Sequence, residues 1–149
     1  MNKELFEEGL AVRREVVGDR VGSEALASAD DFSMPMQELV TAFCWGGIWT
    51  RPGLDRRSRS ILNLGMLAAA NRPQELAGHI RGALNNGLSK EEIREIFLQA
   101  AVYLGMPAGL GCFAVARQVF AEIDDKQAQQ EGNGPASTGA EESASPTGD

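Results

Sequence analysis

The strongest helix pattern in this chain is SKEEIREIFLQAAVYL, residues 89–104. Ser89 is followed three residues later by Glu92, which is a capping box that satisfies free backbone N–H groups at a helix start. Apolar residues then recur three and four positions apart, as on one face of an α-helix: Ile93, Ile96, Phe97, Ala100 and Leu104. The stretch therefore predicts an amphipathic helix that ends at Gly105.

The same spacing extends in both directions along the chain. It predicts further helices over about 5–17, 24–29, 35–47, 55–70, 73–85 and 107–123, with Pro35, Asp55 and Pro73 as start signals and Gly18 as a stop. The residues expected to face inward are Leu39, Val40 and Phe43, then Ile61, Leu62 and Leu67, and finally Leu110, Ala114 and Phe120. No stretch alternates like a strand, so we expect an all-α, compact bundle of about six to seven helices.

Composition divides the chain into a folded body and a tail. Residues 124–149 carry −5 of the total charge of −7, and Gly132–Asp149 contains no large apolar side chain. Such a segment buries too little surface to offset its ordering entropy. We therefore expect a helical domain over 1–123 and a disordered acidic tail over 124–149. The near-neutral body lacks the basic surface that binds a phosphate backbone, so we expect no nucleic-acid partner.

The cysteine and histidine content argues against several other classes. Cys44 and Cys112 are far apart in sequence, and His79 is the one histidine in the chain. This content offers neither a disulfide framework nor metal-ligand spacing, so we expect no metal. No segment reads as a signal peptide or a membrane span. The expectation is a reduced, cytoplasmic protein without a membrane partner.

His79 is the first candidate for chemistry. Glu75 precedes it by one helical turn, so the two side chains share a face, and a neighbouring carboxylate raises the pKa of an imidazole. Arg81 follows two residues later. The pattern is compatible with a general acid, although the spacing alone is more typical of an ordinary helical ion pair.

A second candidate is FCWGGIWTRPG, residues 43–53. Trp45 and Trp49 could form a ligand wall, with Arg51 as a charged anchor, or they could pack in a core or subunit interface. A short basic cluster, Arg56, Arg57 and Arg59, follows. Its size suits one or two small carboxylates, although most such clusters are solvated surface.

Together these motifs resemble the carboxymuconolactone decarboxylase family. The resemblance rests on the Phe-Cys-Trp-Gly-x-x-Trp-x-Arg-Pro-Gly-Leu-Asp-Arg-Arg motif at 43–57, on residues 79–94 and on residues 99–108, and it covers nearly all of 5–123. It implies an all-α homo-oligomer, a trimer or a hexamer. It also implies decarboxylation of 4-carboxymuconolactone to the β-ketoadipate enol-lactone in the breakdown of protocatechuate.

The implied substrate needs no cofactor, because its lactone carbonyl accepts the electron pair of the broken C–C bond. Under this hypothesis His79 donates a proton or stabilises the oxyanion, and Glu75 orients His79. Arg51 and Arg81 anchor carboxylates, with Arg59 as a third candidate, because a guanidinium binds a carboxylate bidentately. Trp45 and Trp49 wall the site and exclude water from the leaving carboxylate.

Two departures from the family pattern leave alternatives open. Gly47 stands where the decarboxylases usually have an acidic residue, and Gln74 stands where they often have histidine. The chain could therefore act on another carboxylated lactone or β-keto acid, or be a non-catalytic oligomeric binding protein. Thiol peroxidases of the superfamily carry a C-x-x-C before the histidine, and Arg72 and Glu75 at those positions argue against that branch.

Overall fold

The computed structural model describes residues 2–132, and every regular element within that range is helical. The elements are α1 (Lys3–Val17), α2 (Asp19–Ala27), α3 (Met34–Leu39), a π-helix (Val40–Trp49), α4 (Arg56–Ala69), α5 (Pro73–Asn85), α6 (Lys90–Leu104) and α7 (Met106–Gly132). The all-α prediction is confirmed. The capping box is also formed: Glu92 N–H donates to Ser89 Oγ at 3.1 Å, and Ser89 N–H donates to Glu92 Oε2 at 3.0 Å.

The core consists of two hydrophobic clusters. The larger one joins α4, α5, α6 and α7 around the fully buried side chains of Leu64, Ile80, Ile93 and Phe97. The smaller one joins α1 to the π-helix through Val12, Val16, Trp45 and Trp49. Helix α5 links the two clusters, because its Gly82 packs against Val16 of α1.

The π-helix is pressed against α1 at two glycines. A Cβ atom at Gly9 would overlap the carbonyl oxygen of Thr41, and one at Gly46 would overlap the carbonyl oxygen of Leu5. Backbone can approach backbone this closely only where neither helix has a side chain at the crossing point. The two glycines therefore set which side of the π-helix faces inward.

That inward side differs from the prediction. Phe43 is 64% exposed and Leu39 is 49% exposed, whereas Thr41, Ala42, Trp45 and Trp49 are buried. Thr41, Trp45 and Trp49 are spaced by four residues, so the predicted and observed faces differ by a rotation of the helix about its axis, which the contact at Gly9 and Gly46 sets. The helix also continues to Trp49 rather than ending near Gly47.

Several other residues predicted to face inward are exposed, because the buried helix faces carry small side chains. Leu62, Leu104, Leu110 and Ala114 are exposed. The buried faces carry smaller residues instead, as in Ala68, Ala101, Cys112 and Ala116. Helices α6 and α7 approach closely, since a Cβ at Gly109 would lie 2.5 Å from the Cβ of Ala101. Faces built from alanine, cysteine and glycine give little hydrophobic signal in a sequence.

Two helix boundaries also needed correction. Helix α2 begins at Asp19 rather than near Glu24, and α7 continues past Ile123 to Gly132. Residues 124–132, predicted as tail, are therefore helical. Lys90 of α6 holds this extension through Asp124, at 2.8 Å. The remainder of the predicted tail, 133–149, lies outside the described residues.

None of the helices in residues 2–132 combines the length and the apolar content needed to cross a bilayer.

Candidate active site

Trp45, Trp49 and His79 form a stacked aromatic cluster between the π-helix and α5. The two indole rings lie 4.9 Å apart between centroids. The imidazole lies 6.3 Å from each indole and is within 7° of parallel to Trp45. Both indoles are about 95% buried, so one side of the imidazole faces an apolar wall. The structure thus brings together three of the candidates taken from the sequence.

Asn63 of α4 supplies a polar contact to this histidine. Its amide nitrogen lies 3.4 Å from Nδ1 of His79. With the amide nitrogen of Asn63 facing the ring, Nδ1 is the acceptor and the imidazole proton is assigned to Nε2. In this arrangement the imidazole is neutral, and no described residue is hydrogen-bonded to Nε2, which can donate to a bound molecule.

Burial lowers the pKa of His79 below its usual value, and the carboxylate of Glu75 opposes this shift more weakly. The sequence predicted the opposite direction. The prediction was wrong because the imidazole loses solvent among the indoles, while Glu75 is exposed and acts through water. The hydrogen bond to the ring comes from Asn63 rather than from Glu75.

Arg81 points to a different part of the molecule. It forms an ion pair with Glu122 of α7 and donates to the carbonyl oxygen of Ala77 at 3.3 Å. Since Arg81 lies only two residues after His79, the two side chains leave α5 on different sides. The structure therefore places Arg81 at the α5–α7 contact and does not bring it to the aromatic cluster.

The remaining arginines of the sequence hypothesis surround the loop after the π-helix. Arg59 donates to the carbonyl oxygens of Leu54, at 3.0 Å, and Arg51, at 3.1 Å. It thereby fixes the loop that carries Arg51, whose own side chain is exposed. Arg56 and Arg57 are engaged in ion pairs with carboxylates of α1 and α6.

A polar group that the sequence did not reveal lies on the α1 side of the π-helix. The guanidinium of Arg13 donates to Thr41 Oγ1 and to Gln37 Oε1, both at 3.0 Å. Arg13 was missed because it stands in an Arg-Arg pair on an amphipathic helix, which resembles a solvated face. Asn63 was missed because its contact with His79 depends on how α4 packs on α5, and no local pattern encodes that.

Cys44 lies beside the same group. Burial raises the pKa of its thiol, while the Trp49 side chain, which donates to the sulfur, and the positive charge of Arg13 oppose that shift. A thiol held in its neutral form is a poor nucleophile. Cys44 is exposed, and this direction of shift favours its neutral thiol over the nucleophilic thiolate.

The two family departures occupy open positions. A Cβ at Gly47 would meet nothing nearer than the Ala42 carbonyl oxygen, at 3.7 Å, so a side chain fits there. Gln74 is exposed in the first turn of α5. Both positions can therefore differ between relatives without disturbing the fold.

Within residues 2–132, no group of three or more His, Cys, Asp or Glu side chains is placed to hold a metal ion. What the described cluster offers is a neutral hydrogen-bond donor on an apolar wall. Such a donor stabilises negative charge that develops on an oxygen atom, because few water molecules compete for it.

Known proteins resemble this chain over most of its length. Residues 35–118 match the model of the carboxymuconolactone decarboxylase family. A nitrosuccinic acid decarboxylase of Metarhizium robertsii is 43% identical over 126 residues, which cover 85% of this chain and 88% of that protein. A 4-carboxymuconolactone decarboxylase of Acinetobacter baylyi is 35% identical over 122 residues, covering 82% and 91%. The chain therefore belongs to the carboxymuconolactone decarboxylase family, whose named relatives are carboxy-lyases.

Proposed function

We propose that this protein decarboxylates a small dicarboxylate that carries its own electron acceptor, without a cofactor. The substrates named for the two relatives share this chemistry. In nitrosuccinate, a nitro group and the leaving carboxylate are on one carbon. In 4-carboxymuconolactone, a double bond connects the leaving carboxylate to the lactone carbonyl. Each molecule also keeps a second carboxylate.

The reaction has the same balance for both substrates. The C–C bond to the leaving carboxylate breaks, CO2 departs, and the electron pair moves onto an acceptor oxygen as a nitronate or a dienolate. One proton is then taken up, in the nitronate by the carbon that lost CO2 and in the dienolate by the α-carbon of the lactone carbonyl. The protein must hold the substrate and stabilise the oxygen that becomes negative.

The observation that carries the proposal is the His79 imidazole stacked against two buried indoles, a setting that lowers its pKa and favours the neutral ring. Of the two roles inferred from the sequence, it favours oxyanion stabilisation, because a neutral imidazole donates a strong hydrogen bond but is a poor acid. We assign Nε2–H to the acceptor oxygen and take the proton for carbon from water. The indoles keep water from the leaving carboxylate, which favours its departure as neutral CO2.

Nitrosuccinate is the first substrate to test. The relative that acts on it shares more residues with this chain, over a similar length, than the carboxymuconolactone enzyme does. Gly47 and Gln74 also depart from the pattern of the lactone decarboxylases. 4-Carboxymuconolactone is the second candidate, supported by its 35% identical relative and by the motif at 43–57.

The test is to incubate the protein with each substrate and follow CO2 and product by NMR, with a protein-free blank for spontaneous decarboxylation. We expect CO2 and nitropropanoate in equal amounts from nitrosuccinate. A higher kcat/KM for the lactone would make it the substrate. A variant carrying Gly47→Glu and Gln74→His is expected to shift the ratio toward the lactone.

We also propose that the chain assembles with copies of itself. An apolar groove of about 690 Å³ lies between α4 and α6, and Tyr103 at its edge is 78% exposed. Leu62 and Met66 lie on the same groove and are half exposed. Light scattering should show an oligomer that Met66→Glu dissociates and Lys3→Glu does not. A monomeric wild type at micromolar concentration would contradict the proposal.

A further inference from the structure

We propose that Arg13 binds the carboxylate that the substrate keeps. This inference rests on the proposed function, and it adds an anchor that the sequence hypothesis had placed on Arg51, Arg59 and Arg81.

Arg13 has no counter-ion among the described residues. Its side chain is half-buried between α1 and the π-helix, and its hydrogen bonds go to the neutral oxygens of Gln37 and Thr41. Among the described residues, no carboxylate lies within ion-pair distance of it. A partly buried guanidinium without a counter-ion is unfavourable. A bound carboxylate would supply the missing charge.

Two hydrogen bonds hold the Arg13 guanidinium in one orientation. Thr41 is fully buried, so its bond to Nη1 holds the planar group in one orientation. Gln37 holds Nη2 from the preceding turn. Three N–H groups then remain, since a guanidinium has five. They suit the fork of a carboxylate. Burial lowers the pKa of Arg13 from its usual value, which agrees with a site that lacks an anion.

The π-helix places the Arg13 contact close to the aromatic cluster. Thr41, Trp45 and Trp49 recur every four residues along the buried side of the π-helix. A π-helix with i→i+5 hydrogen bonds has between four and five residues in each turn, so residues four apart lie on adjacent turns of one side. The Arg13 contact at Thr41 is therefore one turn from Trp45, whose ring faces His79.

In this arrangement His79 and Arg13 act at opposite ends of the buried side of the π-helix. His79 would stabilise the acceptor oxygen at one end, and Arg13 would hold the retained carboxylate at the other. The leaving carboxylate then lies against the indoles without a cation, as its conversion to neutral CO2 requires.

The test measures binding rather than turnover. Succinate is a suitable probe, because it has both carboxylates but no electron acceptor and cannot react. Succinamide, the uncharged diamide of the same length, has neither carboxylate. By calorimetry we expect the wild type to prefer succinate at least tenfold, and Arg13→Gln to lose that preference. The neighbouring variant Arg14→Gln is the control, since Arg14 is exposed and bonds Ser23 and Asp19.

A purely structural role for Arg13 would weaken both ligands equally and leave their ratio unchanged, which would overturn the proposal. Absence of succinate binding by the folded wild type would also overturn it. If Arg13→Gln does not fold, Arg13→Lys replaces it, and the ratio should fall at least threefold because an ammonium lacks the fork. An unchanged ratio in Arg13→Lys overturns the proposal. Since succinate does not react, this result is independent of whether nitrosuccinate is turned over.

Discussion

Asn63 Nδ2 of α4 lies 3.4 Å from His79 Nδ1 of α5, and this contact places the imidazole proton on Nε2. Replacing Asn63 with aspartate exchanges a donor for an acceptor. The carboxylate would favour protonation of Nδ1 and raise the pKa of His79. We expect kcat to fall roughly tenfold or more, in line with the usual size of acid–base and tautomer effects. Asn63→Ala is the control, since it removes the contact without adding charge. Equal pKa values for His79 in both variants would contradict this interpretation.

The pH dependence follows from the lowered pKa of His79. The neutral ring is the active form, so activity should be level above the ordinary histidine pKa of about 6.5 and fall only at lower pH. Because His79 is the one histidine in the chain, its Cε1–H signal in proton NMR reports this titration without ambiguity. An acid limb above pH 7 would be inconsistent with a buried neutral ring.

Stability should change with pH in the same direction. Below about pH 6.5 the unfolded chain binds a proton at His79 that the folded chain resists, so the free energy of unfolding falls as the pH falls. His79→Gln lacks this contribution. Urea unfolding of both proteins at pH 7.5 and pH 5 should show a larger loss for the wild type. Equal losses would mean that His79 titrates normally in the folded state.

Gly46 and Gly47 form a matched pair for testing the helix contact. Gly46→Ala places a Cβ into the backbone of α1 and should destabilise the protein by at least about 2 kcal/mol. Gly47→Ala meets no close atom and should stabilise it by about 0.5–1 kcal/mol through helix propensity. Urea unfolding measures both. Similar effects of the two substitutions would show that the helices do not touch at Gly46.

Substitution of Arg81 tests whether its side chain stabilises the fold or binds the substrate. Its ion pair with Glu122 is partly exposed, so Arg81→Gln should cost only about 0.5 kcal/mol in unfolding free energy. KM should stay within about twofold, because the pair lies at the α5–α7 contact. Glu122→Gln should lose similar stability. A large rise in KM for Arg81→Gln alone would return Arg81 to the site.

The sequence predicted the helices well, because their start and stop signals are local. The Ser89–Glu92 capping box, the Asp55 cap, and the Pro73 and Gly18 boundaries all formed where the chemistry of those residues requires. The inward faces were predicted less well. Phe43 faces outward because Gly9 and Gly46, which carry no hydrophobic signal, set the rotation of the π-helix.

The residues of the candidate site were likewise predicted only in part from the sequence. His79, Trp45 and Trp49 were identified from motifs and come together in the structure. Asn63 and Arg13 were missed because their contacts join residues 16 and 28 positions apart. The direction of the His79 pKa shift was missed because a sequence shows the neighbouring Glu75 but not the loss of solvent around the ring.

The most direct test is the release of CO2 from carboxyl-labelled nitrosuccinate by wild type and by His79→Phe, each checked for native helix content. Phenylalanine keeps an aromatic ring against the indoles and removes the N–H donor, so the proposed mechanism predicts catalysed release by the wild type above the blank and a loss of about 100-fold or more in kcat for His79→Phe, the usual effect of removing an oxyanion donor. Near-wild-type release by folded His79→Phe would contradict the role of the imidazole. Absence of catalysed release from nitrosuccinate and from 4-carboxymuconolactone alike would contradict the proposed reaction.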